Sequence, residues 1–329
     1  MANMNDVAKK AGVSRGTVSN YINNVKIKES SKQKIEEAIK ELGYIPNIAA
    51  RELKTNKASN VVFILPTVWN PFFSELTYYL QLELKKIGKK MLLCNSHDDY
   101  LTEIEYIEMA KQNKVYGIIS VSYSNILPYL IKNLPYVAIE RYYNGSIPYV
   151  TSDNVNGGKL AVKELYKRKC NNLLHITREI EDNKALNDRK FGFETACKDL
   201  NLNYTIFSSN CKSSEFRKEV DKFIKESYNT NIKFDGIFCA TDRYAEYVVE
   251  ILEEMRIKIP QDVQIIGFDG AKSYPNEHLK ISTIKQDIEK LAIEAVNTLQ
   301  SVVNKSDTII NKVLPVNFLE VETTKKINL

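Results

Sequence analysis

Asp6-Val7-Ala8-Lys9-Lys10-Ala11-Gly12-Val13-Ser14-Arg15-Gly16-Thr17-Val18-Ser19-Asn20 is the stretch on which the reading of this chain turns. Val7, Ala8 and Ala11 recur at helical spacing, and Gly12 breaks the run. Ser14 is then a good N-cap for a second short helix that carries Val18 inward. Val13 is apolar and can pack between the two helices, while Gly12 suits a turn that needs a residue free of Cβ constraint. This is the layout of a helix-turn-helix, whose second helix lies in the major groove of DNA. Ser14, Arg15, Gly16, Thr17 and Asn20 then occupy the start and outer face of that helix. The same pattern also fits an ordinary helical hairpin packed into a core, so the surrounding sequence has to decide.

Charge decides much of it. Through Lys57 the chain carries eleven Lys/Arg against six Asp/Glu, a surplus equal to the net +5 of all 329 residues. A small basic domain on a neutral body is the electrostatic footprint of a nucleic-acid reader. A third helix is expected from Lys32 to Leu42, with Ile35, Ala38, Ile39 and Leu42 as its apolar stripe and Gly43 at its end. After Gly43-Tyr44-Ile45-Pro46-Asn47, Asn47 can cap a stretch of about two turns, Ile48 to Lys54, too short to be a stable helix in isolation. Small residues, one leucine and flanking cations suit folding on the minor groove with Leu53 as a wedge. A plain linker is the alternative.

The motifs from Asp6-Val7-Ala8 to Val18-Ser19, with Gly43-Tyr44-Ile45-Pro46-Asn47 and Ala50-Arg51-Glu52-Leu53, closely resemble the LacI/GalR family of bacterial repressors. The resemblance implies that Arg15, Gly16 and Asn20 stand at base-reading positions, and that Ala50 and Leu53 enter the minor groove. Arg15 can be bidentate to guanine and Asn20 can pair with an adenine edge. Gly16 has no side chain to read a base, which shifts readout toward Arg15, Thr17 and Asn20.

From Asn60 onward the pattern changes. Apolar runs at Val61–Leu65, Met91–Cys94, Gly117–Val121 and Tyr136–Glu140 alternate with helical stretches such as Glu75–Ile87 and Leu101–Gln112. A second series follows at Asn172–Ile176, Tyr204–Ser208, Asp235–Ala240 and Val263–Phe268, and a last strand is expected over Val313–Val321. Such alternation means parallel, doubly wound sheets covered by helices on both faces, and two series mean two α/β lobes. The resemblance implies a two-lobed, periplasmic-binding-protein-like body with about three crossovers and a small effector in the cleft. The expected organisation is a headpiece over 1–46, a hinge helix and linker over 47–59, and an effector and dimerisation domain over 60–329. Within it, one lobe takes about 60–155 and 288–312, the other about 156–285 and 313–329.

Ligands of doubly wound sheets collect beyond the carboxyl ends of the strands. That rule selects Pro66 to Phe73, Glu140-Arg141, Thr241-Asp242 and Asp269. Family motifs coincide with these and add Arg189, in Arg189-Lys190-Phe191-Gly192-Phe193. The resemblance implies that Arg189 and Asp269 contact the effector, with Phe72 and Phe73 as an apolar wall. A cation and a carboxylate in one cleft can donate to and accept from polyol hydroxyls. Glu140, Thr241 and Asp242 complete the expected effector set. The plainer roles are helix N-caps for Asp242 and Asp269, core aromatics for Phe72 and Phe73, and a surface ion pair for Arg189. Ser282 to Asp287 reads as the last crossover, a hinge.

Other classes find little in the sequence. The five cysteines lack CxxC spacing and read as reduced thiols, and the three histidines are far apart, so no metal and no cofactor is expected. No phosphate loop occurs beyond the weak Gly157-Gly158, and no nucleophile elbow is present. No apolar run is long enough to span a bilayer, and Met1 leads into polar helix, so a cytoplasmic protein is expected. Without leucine heptads after Val321, a homodimer on a near-palindromic double-stranded DNA operator is expected rather than a tetramer. The expected function is a repressor switched by a sugar-like effector. Control by a phosphoprotein partner or by a purine or nucleoside stays open, and a carbohydrate-processing enzyme would fit the body but not need the headpiece.

Overall fold

The computed structural model describes residues 2–45, 58–130, 134–143, 147–180, 184–230, 232–304 and 311–327. The chain divides into two compact units, Met1–Ala58 and Ser59–Leu329. Asn47, Ala50 and Leu53, and the hinge helix expected around them, lie outside the described residues.

The first unit holds helices α1 (Met4–Ala11), α2 (Arg15–Ile22) and α3 (Glu29–Leu42). Asn3 and Asp6 form a reciprocal capping box at the start of α1, and Gly12 ends the helix at φ +63°, a conformation that penalises a Cβ. Ser14 caps α2 as expected, its Oγ accepting from the Thr17 amide at 3.1 Å. Val7, Val18 and Ile35 are fully buried and join Ala8, Ala11 and Ala38 in one small core. α3 begins three residues earlier than the apolar stripe predicts. Lys28 caps it without a side-chain hydrogen bond, so no cap signal marks the start.

The second unit contains two six-stranded sheets. One has the order β11-β5-β4-β3-β1-β2, with β1 (Asn60–Leu65), β2 (Lys90–Asn95), β3 (Gly117–Ser120), β4 (Tyr136–Ile139), β5 (Tyr149–Ser152) and β11 (Asn311–Leu314), all parallel. The other has the order β12-β10-β9-β8-β6-β7. Its strands are β6 (Asn172–Arg178), β7 (Asn203–Ser209), β8 (Gly236–Cys239), β9 (Gln264–Asp269), β10 (Thr283–Lys285) and β12 (Asn317–Leu319), and only β12 is antiparallel. Helices α4 (Pro71–Lys86), α5 (Tyr100–Gln112) and α10 (Ile288–Val303) cover the first sheet on its two faces. Helices α6 (Asn154–Lys167), α7 (Lys184–Asp199), α8 (Ser213–Asn229) and α9 (Asp242–Glu254) cover the second. The runs of the inner strands β1, β3, β4, β8 and β9 are buried because both faces meet helices, whereas the edge strand β2 leaves Leu92 and Leu93 exposed and the edge strand β7 is only half-buried.

The chain crosses between the sheets after β5, after β10 and after β11. The segment expected as one strand over Val313–Val321 is instead two strands in different sheets, separated at Pro315-Val316. Proline has no amide hydrogen for a ladder, so the run breaks there. Ser282 to Asp287 is therefore the second crossover, not the last. Gly157-Gly158 belongs to no phosphate loop. Both residues sit inside α6, where a Cβ on Gly158 would lie 2.2 Å from the Arg189 carbonyl oxygen. On the facing helix, a Cβ on Gly192 would lie 2.0 Å from that of Val155. The two glycines let α6 and α7 approach closely enough to hold Arg189 in place.

Candidate functional site

The carboxyl ends of both sheets meet at a cavity of about 290 Å³, lined among others by Phe72, Phe73, Glu140, Arg189, Thr241 and Asp269. Six of the seven residues expected to bind an effector thus come together there. Asp242, the seventh, stands beside it in an adjoining groove that Phe72 and Asp269 share.

Arg189, on α7, is the centre of the arrangement. Only 4% exposed, it is no surface ion pair. Its Nε donates to Asn154 Oδ1 at 2.8 Å and its Nη1 to the Ala240 carbonyl at 2.7 Å. Nη2 reaches Glu140 Oε2 at 3.5 Å, Nη1 stands 3.6 Å from Asp269 Oδ1, and the guanidinium lies 3.6 Å from the Phe268 ring centroid. A buried cation is tolerable only with such compensation.

Glu140 follows β4 and is held at φ +55°. Its carboxylate accepts from the Ser152 amide at 2.6 Å and from Asn154 Nδ2 at 3.0 Å. Asp269 ends β9 and is also left-handed, at φ +132°. It caps no helix. Its Oδ1 accepts from Gln286 Nε2 at 2.8 Å, and Gln286 Oε1 accepts from Ser152 Oγ at 2.5 Å. The network therefore runs through the first two crossovers, at Ser152 to Asn154 and at Gln286.

Asp242 is not an N-cap either. Thr241 caps α9, accepting from the Tyr244 amide at 3.3 Å, and Asp242 turns its Oδ2 to the Gly270 amide at 2.7 Å. Burial pushes the Asp242 carboxyl up to about 6, while bonds from Thr283 and Gly270 pull it back. Burial also drives Asp269 well above the usual carboxylate range, with Arg189 opposing and Asp242 adding to the rise. Two carboxyls and one guanidinium thus share a dry corner that can both donate to and accept from hydroxyls.

Phe72 and Phe73 are core aromatics that also border the cavity. Each is 6% exposed, and their rings meet edge to face at 5.4 Å. Across the lobes, Tyr142 donates to Asp188 at 3.1 Å, and the Lys272 amide donates to Glu75 at 2.7 Å. Arg141 donates to the Ser122 carbonyl at 3.1 Å rather than lining the cavity.

Sequence reasoning missed Ser152, Asn154, Gln286, Tyr123, Asp98 and Arg178. Ser152 and Asn154 belong to the end of β5, whose Tyr149-Val150-Thr151-Ser152 is half polar and does not stand out as an apolar run. Asp98 and Arg178 follow or end β2 and β6, where the strand-end rule itself selects them. In the headpiece, Ser14, Arg15, Gly16 and Asn20 are exposed and Thr17 is half-buried. Ser14 Oγ and Thr17 Oγ1 are 2.9 Å apart and bond each other.

Residues 3–47 match the family model for bacterial regulatory proteins of the lacI family, and residues 162–322 match that for a periplasmic binding protein-like domain. The sucrose operon repressor of Streptococcus mutans is 36% identical over 326 residues, covering 98% of this chain and 99% of that protein. A crystal structure of a periplasmic binding protein/LacI transcriptional regulator from Alkaliphilus metalliredigens, complexed with D-xylulofuranose, is 29% identical. It has a TM-score of 0.71 and covers 82% of this chain and 100% of that one. The lac repressor dimer bound to operator, at 18% identity, shares the fold with a TM-score of 0.85, over 98% of this chain and 99% of that one. Among the described residues no helix is long and apolar enough to cross a membrane. With identity of this order along nearly its whole length, the chain belongs to the lacI family of bacterial regulatory proteins, transcriptional regulators that join a DNA-binding helix-turn-helix to a two-lobed effector domain.

Proposed function

We propose that this chain is a dimeric, cytoplasmic repressor whose hold on a near-palindromic operator is switched by a sugar bound between the two lobes. The observation that carries the sugar reading is Arg189, buried between Glu140 and Asp269 at the strand ends, with Phe72 and Phe73 beside it. Fixed donors and acceptors beside an apolar wall match a ring whose edge carries hydroxyls and whose face carries C–H groups. The relative from S. mutans is named for a sucrose operon, and the A. metalliredigens neighbour holds a furanose.

On the DNA side, Arg15 and Asn20 read base edges from the exposed face of α2, and Thr17 reads beside them. Asn47, Ala50 and Leu53 serve the minor groove. Sugar binding draws the lobes together through the crossovers, and operator affinity shifts by the coupling free energy, typically about 1–3 kcal/mol. The cleft binds and releases its ligand unchanged, with no reaction assigned to it.

Calorimetric titration of the purified protein with sucrose, D-ribose, D-xylulose and hypoxanthine tests the reading. Saturable binding of a sugar, with none of hypoxanthine, is expected. Selective binding of the purine base, or of no small molecule, would overturn it.

A further inference from the structure

Nine described non-glycine residues have positive φ: Asn24, His97, Asp98, Lys114, Glu140, Lys169, Asn201, Arg256 and Asp269. Five of them, Asn24, Lys114, Lys169, Asn201 and Arg256, stand just past helix ends, where a left-handed residue is an ordinary terminator. The other four are different. His97, Asp98, Glu140 and Asp269 end or follow strands, and Asp98, Glu140 and Asp269 all line the cavity. Backbone held off its preferred basins clusters where a side chain must be aimed. Asp98 shares with His97 the centre of a turn that the Asp99 amide closes on the Ser96 carbonyl at 2.9 Å, and this turn sets it at the cavity beyond β2, outside the hydrogen-bond network and the end of the cleft that Glu140 and Asp269 occupy.

Strand order sets the distances. In the first sheet Asp98 lies beyond β2 and Glu140 beyond β4, three strand spacings apart, roughly 14 Å at about 4.8 Å each. In the second sheet Arg178, at the end of β6, is two spacings from Asp269 at the end of β9, roughly 10 Å. One sugar ring with its hydroxyls, built from bonds of about 1.5 Å, spans roughly 7 Å. The cleft is thus longer than one ring, with a charged pair at each end.

The outer end is furnished for a ligand. Arg178 Nη2 donates to the Cys211 carbonyl at 2.9 Å, but its Nε is buried without a partner among the described residues. A buried donor left open calls for an acceptor. Asp98 is exposed at the mouth and offers the complementary acceptor. Trp69, the one tryptophan of the chain, follows β1 between these ends and lines the same cavity while 91% exposed. An indole so exposed gains by covering its face with the apolar face of a ring.

We propose that the cleft has a second, outer subsite, formed by Trp69, Asp98 and Arg178, which takes a second sugar ring linked to the one held at Arg189 and Asp269. The effector is then a two-ring sugar. This rests on the sugar reading above, and the test separates the two.

The full chain is titrated with sucrose, maltose and cellobiose, and with glucose and fructose, following the emission of Trp69 and, in parallel, heat. One disaccharide should bind at least about tenfold more tightly than its component sugars and shift the emission. Trp69→Ala and Asp98→Asn, both at exposed positions, should each bring that disaccharide down to the monosaccharide level and leave monosaccharide affinity unchanged. A monosaccharide bound as tightly as any disaccharide, with both variants matching the wild type, would overturn the outer subsite and leave the sugar cleft standing. Failure of the wild type to bind any of the five sugars would overturn both.

Discussion

The headpiece and the cleft satisfy their polar groups in opposite ways. In the headpiece the partners are sequence neighbours and lie in solvent: Asn3 with Asp6 at 2.9 Å, Ser14 with Thr17 at 2.9 Å. Even the longer Lys10–Glu41 pair leaves both side chains more than half exposed. In the cleft the partners are distant in sequence and buried, as with Ser152 and Gln286 or Arg189 and Glu140. The difference follows from what each must meet. A DNA-reading face can stay solvated until phosphates and bases supply its partners, whereas a cleft that recognises a small ligand has to fix its donors and acceptors beforehand. Changes in the cleft should therefore cost stability, and changes on the reading face should cost only binding.

Arg189→Met should break that rule most visibly if the rule is wrong. Removing the guanidinium leaves Glu140 and Asp269 without their buried counter-charge, a loss of about 3–5 kcal/mol in urea unfolding at pH 7. The loss should shrink in acid, as the Asp269 carboxyl, held by burial well above the usual carboxylate range, accepts a proton. A change below about 1 kcal/mol would mean that the cleft is no more committed than the surface.

His175 sharpens the comparison from within the second lobe. Its Nδ1–H donates to the Phe238 carbonyl at 3.0 Å, and its ring packs against both Phe193 and Phe238, with centroids 5.0 and 4.9 Å away. Burial lowers its pKa to about 3. The unfolded chain takes up a proton below about pH 6.5 that the folded chain refuses, so stability falls as pH drops from there toward 3. Between pH 7 and pH 5 this amounts to roughly 2 kcal/mol. Unfolding curves for His175→Gln, which keeps a donor but cannot titrate, should lack that part of the decline.

Arg15→Ala gives the smallest effect on folding. Its side chain is exposed and it caps nothing, so stability should change by less than about 0.5 kcal/mol. Operator affinity should nevertheless fall by about 1–3 kcal/mol, with preference relaxed at one base position. Unchanged sequence preference in a gel-shift series would remove Arg15 from the readout.

The same contrast explains what could be read in the sequence. The headpiece is local: Gly12, Ser14 and Val18 announce a turn, a cap and a core contact within seven residues, and all three take those roles. Eight strands of the two lobes were legible from apolar runs, and Glu140, Thr241 and Asp269 from the ends of those runs. Arg189 came from its motif, since nothing local says that a helical arginine points inward. Asn154 and Gln286 were hidden because the strands before them, Tyr149-Val150-Thr151-Ser152 and Thr283-Ile284-Lys285, are too polar to read as apolar runs. Their partners lie up to 134 residues away, a pairing that no local pattern encodes. The false strand over Val313–Val321 failed for a related reason: a continuous extended run does not show that its halves serve two sheets.

The central claim is that sugar in the cleft changes the grip on DNA. Operator affinity measured with and without saturating sugar, for the wild type and Asp269→Asn, tests it most directly. The wild type should shift about 5–150-fold, and Asp269→Asn should bind operator as the sugar-free wild type does and stay unmoved by sugar at the same concentration. A variant that still responds fully, or a wild type whose operator affinity ignores a sugar it demonstrably binds, would contradict the account.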